Sequence, residues 1–185
     1  MALRATVYKV ELQVSDLDRQ VFDAASLALA RHPSETEERL MVRLLAFALH
    51  CGEGLAFGRG ISSEDEAAVW QRDLAGNLRL WIEVGLPDER ALRKACGKSD
   101  RVVLYTYGGR TAARWWDQNG AALERLANLQ VIDLPQDFTQ ALAAQAQRSL
   151  QAQVTVQDGE LWFSVGDATL HVRPAVRQAL RTPGT

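Results

Sequence analysis

"LWIEVGLPDERALRKAC" (residues 80–96) decides how the rest of the chain is read. From Leu78 to Val84, Leu78, Leu80, Ile82 and Val84 point one way. Arg79, Trp81 and Glu83 point the other, as strand alternation requires. Gly85 and Pro87 break the strand. Pro87 then sits near the first turn of a helix with the core stripe Ala91, Leu92, Ala95 and Cys96. Glu83 therefore closes an otherwise apolar strand, on the face of Trp81 and close to the following helix. A carboxylate there needs a cation, a metal or water. The bland reading places it at a solvated sheet edge or beside an arginine.

Outward from this unit, "RVVLYTYG" reads as a buried strand, "RTAARWWDQNGAALERL" as a helix that Gly120 interrupts, and "LQVIDLP" as another buried strand. "QDFTQALAAQAQ" is a helix opening at Asp137. Upstream, "LAFGRGI" (55–61) is a short strand, and "AGN" turns the chain into the Glu83 strand. "PSETEERLMVRLLAFALHC" has Ser34 as N-cap and Glu37 three residues later, a capping-box pattern. Leu40, Met41, Leu44, Leu45 and Ala48 share one face of that helix, and Arg39 and Arg43 lie on the opposite side. At the N-terminus "ATVYKVELQVSDLD" alternates as a strand, and "FDAASLALARHP" is read as its antiparallel partner. Near the C-terminus Asp158-Gly159 joins two alternating runs, a hairpin signal. "ATLHVRPAV" adds one more strand, and "RTPGT" is a frayed end. The pattern predicts an α/β (α+β) protein with a mixed central sheet, flanked by helices and carrying N- and C-terminal hairpins.

A chain of 185 residues is expected to form a single domain able to bury a core without staples. Its formal net charge of −2 argues against a non-specific, strongly electrostatic nucleic-acid binder. Cys51 and Cys96 form no C-x-x-C, which fits a reducing, cytoplasmic setting. No signal peptide or apolar run of membrane-spanning length is evident, so a soluble protein is expected. His32, His50 and His171 are too scattered to suggest a zinc site.

Several residues have chemical potential. Glu64, Asp65 and Glu66 form an acidic run one strand before Glu83; alone, such a run is usually a solvated loop. Two carboxylates from neighbouring strand ends would suffice for Mg²⁺, which binds through one or two carboxylates plus water and phosphate. Capping explains Glu37 but not Glu38, which lies at the stripe edge beside Leu45. Lys94 flanks its helix's stripe and can lay its stem over the sheet; the default reading is a solvated lysine. "YGGRT" lacks the lysine of a phosphate loop. "RTAARWW" pairs arginines with tryptophans as a nucleic-acid groove does, and equally as a helix dividing its tryptophans between core and interface.

The stretches "ALRATVYK", "LARHPSETEERLMVRLLAF", "WIEVGLPDERALRKAC", "ANLQV" and "QDGELW" resemble the YaeQ family over nearly the whole chain. That family is similar to the PD-(D/E)XK nuclease-like superfamily. The resemblance implies a restriction-endonuclease-like core at roughly 34–135 with element order α-β-β-β-α-β. It also implies an active site built from a helix glutamate, a strand aspartate and an acid-x-lysine. Carried over by position, these fall on Glu38, on Asp65 (with Glu66 the alternative) and on Glu83. The usual lysine is replaced by Gly85, and Lys94 on the next helix would stand in for it. Asp65 and Glu83 would bind Mg²⁺ or Mn²⁺, and the implied reaction is hydrolysis of phosphodiester bonds in DNA or RNA. The alternative is a non-catalytic protein of the same fold that binds nucleic acid or a protein partner.

Overall fold

A computed structural model describes residues 4–59 and 65–181. Glu64, residues 60–61 of the expected strand and residues 182–185 of the expected frayed end lie outside the described residues.

Two mixed sheets form rather than one. The first contains β1 (Thr6–Asp16), β2 (Val21–Arg31), β8 (Ser149–Gln157), β9 (Glu160–Val165) and β10 (Ala168–Val172), in the order β10-β9-β8-β1-β2. The second contains β3 (Leu55–Phe57), β4 (Val69–Arg72), β5 (Leu78–Val84), β6 (Arg101–Thr106), β7 (Leu129–Asp133) and β11 (Ala175–Gln178), in the order β11-β7-β6-β5-β4-β3. The helices are α1 (Glu37–Leu49), α2 (Glu89–Lys98), α3 (Arg110–Leu123) and α4 (Gln136–Ala143).

The predicted N-terminal hairpin forms in full, from Thr6↔Arg31 to Asp16↔Val21. So does the C-terminal one, with Asp158 and Gly159 at φ 54° and 74° in its turn. Both residues are left-handed, as the favoured two-residue hairpin turn requires. The hairpins do not decorate the central sheet. They fuse into their own sheet through a parallel β1–β8 ladder, Lys9↔Ser149 to Asp16↔Val156. The single strand expected in "ATLHVRPAV" is two strands, β10 in one sheet and β11 in the other. The chain crosses between them at Pro174, which has no N–H to continue a ladder.

α1 touches β1 and β8 on one side and β3, β4 and β5 on the other, so it lies between the sheets. Every residue from Leu40 to Ala48 is buried, so the side carrying Arg43, opposite the apolar stripe, is covered as well. Arg43 is 1% exposed and is held by Glu35: Nε donates to Oε1 at 2.7 Å and a terminal nitrogen to Oε2 at 2.8 Å. Arg39 bonds the same carboxylate at 2.7 Å. The capping assignment also shifts by two residues. Thr36, not Ser34, is the N-cap and accepts from the Arg39 N–H at 3.1 Å, while Ser34 turns to His32 and Glu37 accepts from Tyr8.

The second sheet is buried on both faces. Leu80, Ile82, Val84, Val103 and Tyr105 join the core around α1, whereas Trp81, Leu92, Ala95, Val102, Leu104 and Leu123 form a second core beneath α2 and α3. α2 begins at its N-cap Asp88, whose carboxylate accepts from the Ala91 N–H at 2.7 Å. Gly120 does not interrupt α3: a Cβ there would stand 2.9 Å from the Trp116 ring, so glycine lets the indole lie against the helix.

Candidate active site

Glu83 lies on β5, between β4 and β6, so it is not at a sheet edge. It is 8% exposed, and its Oε1 accepts the indole N–H of Trp81, two residues back on the same face, at 2.9 Å. Among the described residues no cation stands at ion-pair distance from it. Burial pushes its carboxyl up to about 7, against the opposing pull of the Trp81 N–H and the charge of Arg39.

Asp65 and Lys94 are in direct contact. Asp65 Oδ1 is 3.1 Å from Lys94 Nζ and also 3.1 Å from Lys98 Nζ, one turn further along α2. The two ammonium groups hold this exposed carboxyl below its usual range. Lys98 Nζ also lies 5.8 Å from the centroid of the Trp81 ring, within cation–π range. A continuous path therefore runs from Asp65 through Lys98 and Trp81 to Glu83. In the sequence Trp81 is legible as sharing the Glu83 face, without a role, and Lys98 goes unread although it lies i+4 from Lys94 on the helix.

Glu38 and Glu66 are directed elsewhere. Glu38 Oε1 accepts from the hydroxyl of fully buried Thr139 on α4 at 2.8 Å, and its charge is felt by Tyr107 just beyond β6. Glu66 accepts the backbone N–H of Arg59 at 2.7 Å, which ties it to the strand before it. Arg39 is a further residue that pattern alone missed, linking the Glu35 pair to the field around Glu83. Among the described residues no three His, Cys, Asp or Glu side chains converge as a ready metal cage.

Gly85 explains why no lysine stands two residues after Glu83. Its φ is +103°, a region that disfavours side chains, while its N–H bonds Tyr105 O at 2.9 Å. A Cβ there would meet nothing within 4 Å, so the obstacle is the backbone and not space. Gly85→Lys is expected to destabilise the fold by about 1–3 kcal/mol, with Gly85→Ala costing nearly the same. Urea midpoints of the two variants check this. A Gly85→Lys protein as stable as wild type would show that the turn relaxes freely.

The family model described as YaeQ protein matches residues 1–174. The YaeQ proteins of Escherichia coli (strain K12) and Salmonella typhi are 46% and 45% identical to the chain. The first alignment covers 93% of this chain and 95% of the relative; the second covers 94% and 96%. The crystal structure of YaeQ from Xanthomonas axonopodis pv. citri superposes with a TM-score of 0.91 at 48% identity, covering 95% of this chain and 99% of that one. YaeQ from Pseudomonas syringae gives 0.90 at 37% identity, covering 96% and 98%. The chain belongs to the YaeQ family.

Proposed function

We propose that the chain is a metal-dependent nuclease that hydrolyses phosphodiester bonds, on the plan of the PD-(D/E)XK superfamily. One observation carries this reading: a desolvated carboxylate, Glu83, near the C-terminal end of a central strand, joined through Trp81 and Lys98 to the Asp65–Lys94 pair. The element order from α1 to β6 is α-β-β-β-α-β, which supports a restriction-endonuclease-like core at 34–135 within a single domain.

The donor chemistry fits Mg²⁺ or Mn²⁺. Asp65 and Glu83 offer hard carboxylate oxygens, and among the described residues no cation stands at contact distance from buried Glu83. When bound there, the ion would supply water activation and neutralise charge on the phosphate. Trp81 fixes one oxygen of Glu83. Lys94 and Lys98 carry ammonium groups suited to phosphate oxygens, where they stabilise the charge that develops during displacement. Glu38 is held by Thr139 and would serve this reaction only by turning from that partner. DNA or RNA is the substrate class and the cytoplasm the setting.

The second reading, a non-catalytic nucleic-acid or protein-binding module, draws on the two lysines that already neutralise Asp65. A cleavage assay separates the two. Single- and double-stranded DNA and RNA are incubated with Mg²⁺, Mn²⁺ or chelator, using wild type, Glu83→Gln and Lys94→Gln. The nuclease reading expects metal-dependent cleavage that falls at least about a hundredfold in Glu83→Gln. Equal cleavage by both proteins assigns it to a contaminant. Binding without cleavage by wild type selects the second reading.

A further inference from the structure

β2 is the last strand of the first sheet, and its side away from β1 pairs with no strand among the described residues. The ladder to β1 is unbroken from Thr6↔Arg31 to Asp16↔Val21. In an antiparallel ladder, residues that direct N–H and C=O toward the neighbour alternate with residues that direct both away. Two contacts fix the parity here. The Ala24 N–H goes to the Asp23 carboxylate at 2.8 Å, and Ala30 O accepts from Arg43 at 3.0 Å. Phe22, Ala24, Ser26, Ala28 and Ala30 therefore turn their main-chain groups outward. Those of Ser26 and Ala28, in mid-strand, have no hydrogen-bond partner among the described residues.

This edge carries few of the devices that keep an open strand apart from others. From Val21 to Arg31 it has no proline, no lysine and no bulge. Its outer face is small and exposed at Ala24, Ser26, Ala28 and Ala30, and Phe22 beside them is 70% exposed. Two charges stand on the inner face near opposite ends of the strand. Asp23 accepts from the Cys51 thiol at 3.3 Å, and Arg31 donates to the neutral carbonyl of Glu35 at 2.8 Å. Among the described residues neither has an opposite charge at ion-pair distance. Inward charges of this kind deter edge pairing unless the incoming strand answers them.

A second copy of the same strand, laid antiparallel, answers both. With Leu27 opposite Leu27, Asp23 of each copy falls opposite Arg31 of the other, and Ser26 opposite Ala28. The free main-chain groups of Ser26 and Ala28 then bond one another. Asp23, Leu27 and Arg31 occupy the non-hydrogen-bonded positions, where facing residues stand about 4.5 Å apart at Cα. We propose that β2 is a homodimerisation edge, on which two copies of this chain pair their β2 strands about a two-fold axis at Leu27 and join their first sheets into one. The occupant is a copy because a single strand supplies both charges, in the order that an antiparallel twin requires. The proposal does not depend on the nuclease reading, since the candidate active site lies on the other sheet and α2.

Sedimentation equilibrium of the full chain across roughly 1–500 μM tests this. Wild type is expected to pass from monomer to dimer with a midpoint in the micromolar range, as suits a contact built on one strand edge. Ala28→Pro is expected to weaken association at least about tenfold; the N–H it removes points away from β1, so the β1 ladder is kept. Asp23→Arg and Arg31→Asp each set like charges opposite one another and are expected to weaken association by about as much. The double variant Asp23→Arg with Arg31→Asp restores opposite charges and is expected to recover the dimer. Should Ala28→Pro fail to fold, the charge variants give the same answer. A chain that stays monomeric throughout, even one that takes up an unrelated extended peptide at this edge, overturns the proposal. So does a dimer that Ala28→Pro leaves unchanged, or a double charge variant no stronger than the single ones.

Discussion

Glu83→Gln is expected to be more stable than wild type at pH 8, by an amount on the order of 3 kcal/mol. The sign follows from the direction of the shift. A glutamate ordinarily ionises near 4.5, and in the folded chain burial raises this one to about 7. Between those values the folded state binds more protons than the unfolded state, so stability falls as pH rises through the window and levels off above it. Glutamine keeps the acceptor for the Trp81 N–H but carries no charge to desolvate. The variant should therefore match wild type near pH 4, diverge from it up to pH 7 and stay above it thereafter. Urea midpoints across that range measure the divergence; parallel profiles would mean that Glu83 is solvated in the native state. Stability gained together with cleavage lost is the signature of a carboxylate kept for chemistry at the fold's expense. Mg²⁺ or Mn²⁺ at pH 8 should narrow the gap by stabilising wild type alone.

Glu35→Ala is expected to cost about 3–5 kcal/mol. Arg43 is 1% exposed between the sheets, and its two bonds to Glu35 are the ones that balance its charge. Its remaining bond, to Ala30 O at 3.0 Å, is to a neutral carbonyl. Removing the carboxylate leaves a buried cation with no equal partner and takes the Glu35 contact from Arg39 as well. The double variant Glu35→Leu with Arg43→Met should recover most of the loss, because an apolar pair of similar volume escapes the desolvation penalty. A chemical-denaturation cycle over the single and double variants reads the coupling. Simple additivity of the two single losses would show that the pair is not energetically linked.

Local signals in the sequence are sufficient for most elements, though β4 (Val69–Arg72) goes unread and β10 and β11 merge into one strand, and they are insufficient for the assembly. The period-2 alternation of β1, the Asp158-Gly159 turn and the strand–turn–helix at 78–98 are all written in neighbouring residues. The parallel β1–β8 ladder is not, because nothing near Lys9 indicates Ser149. A second sheet therefore went unseen, and with it the reason α1 is buried on every side. Arg39 and Arg43 are legible only as lying opposite the apolar stripe until that sheet is placed over them, and Glu35 gains its importance only then. In the candidate site, the Glu83 face and the flanking place of Lys94 followed from alternation and helix geometry. That Asp65 reaches Lys94 depends on how the segment before β4 lies across α2, a tertiary fact without a local pattern.

The β1–β8 ladder also sets an order of events during synthesis. The second strand of that pair leaves the ribosome about 140 residues after the first, which is a long loop to close. Until β8 arrives, the nascent chain carries a two-stranded ribbon with one long side unpaired and with Phe22, 70% exposed even in the finished fold. The α1-to-β7 segment can collapse earlier on its more local contacts. Sealing of the first sheet is thus a late step, and a chain stalled before residue 149 displays an open strand edge to whatever chaperone or neighbouring chain meets it first.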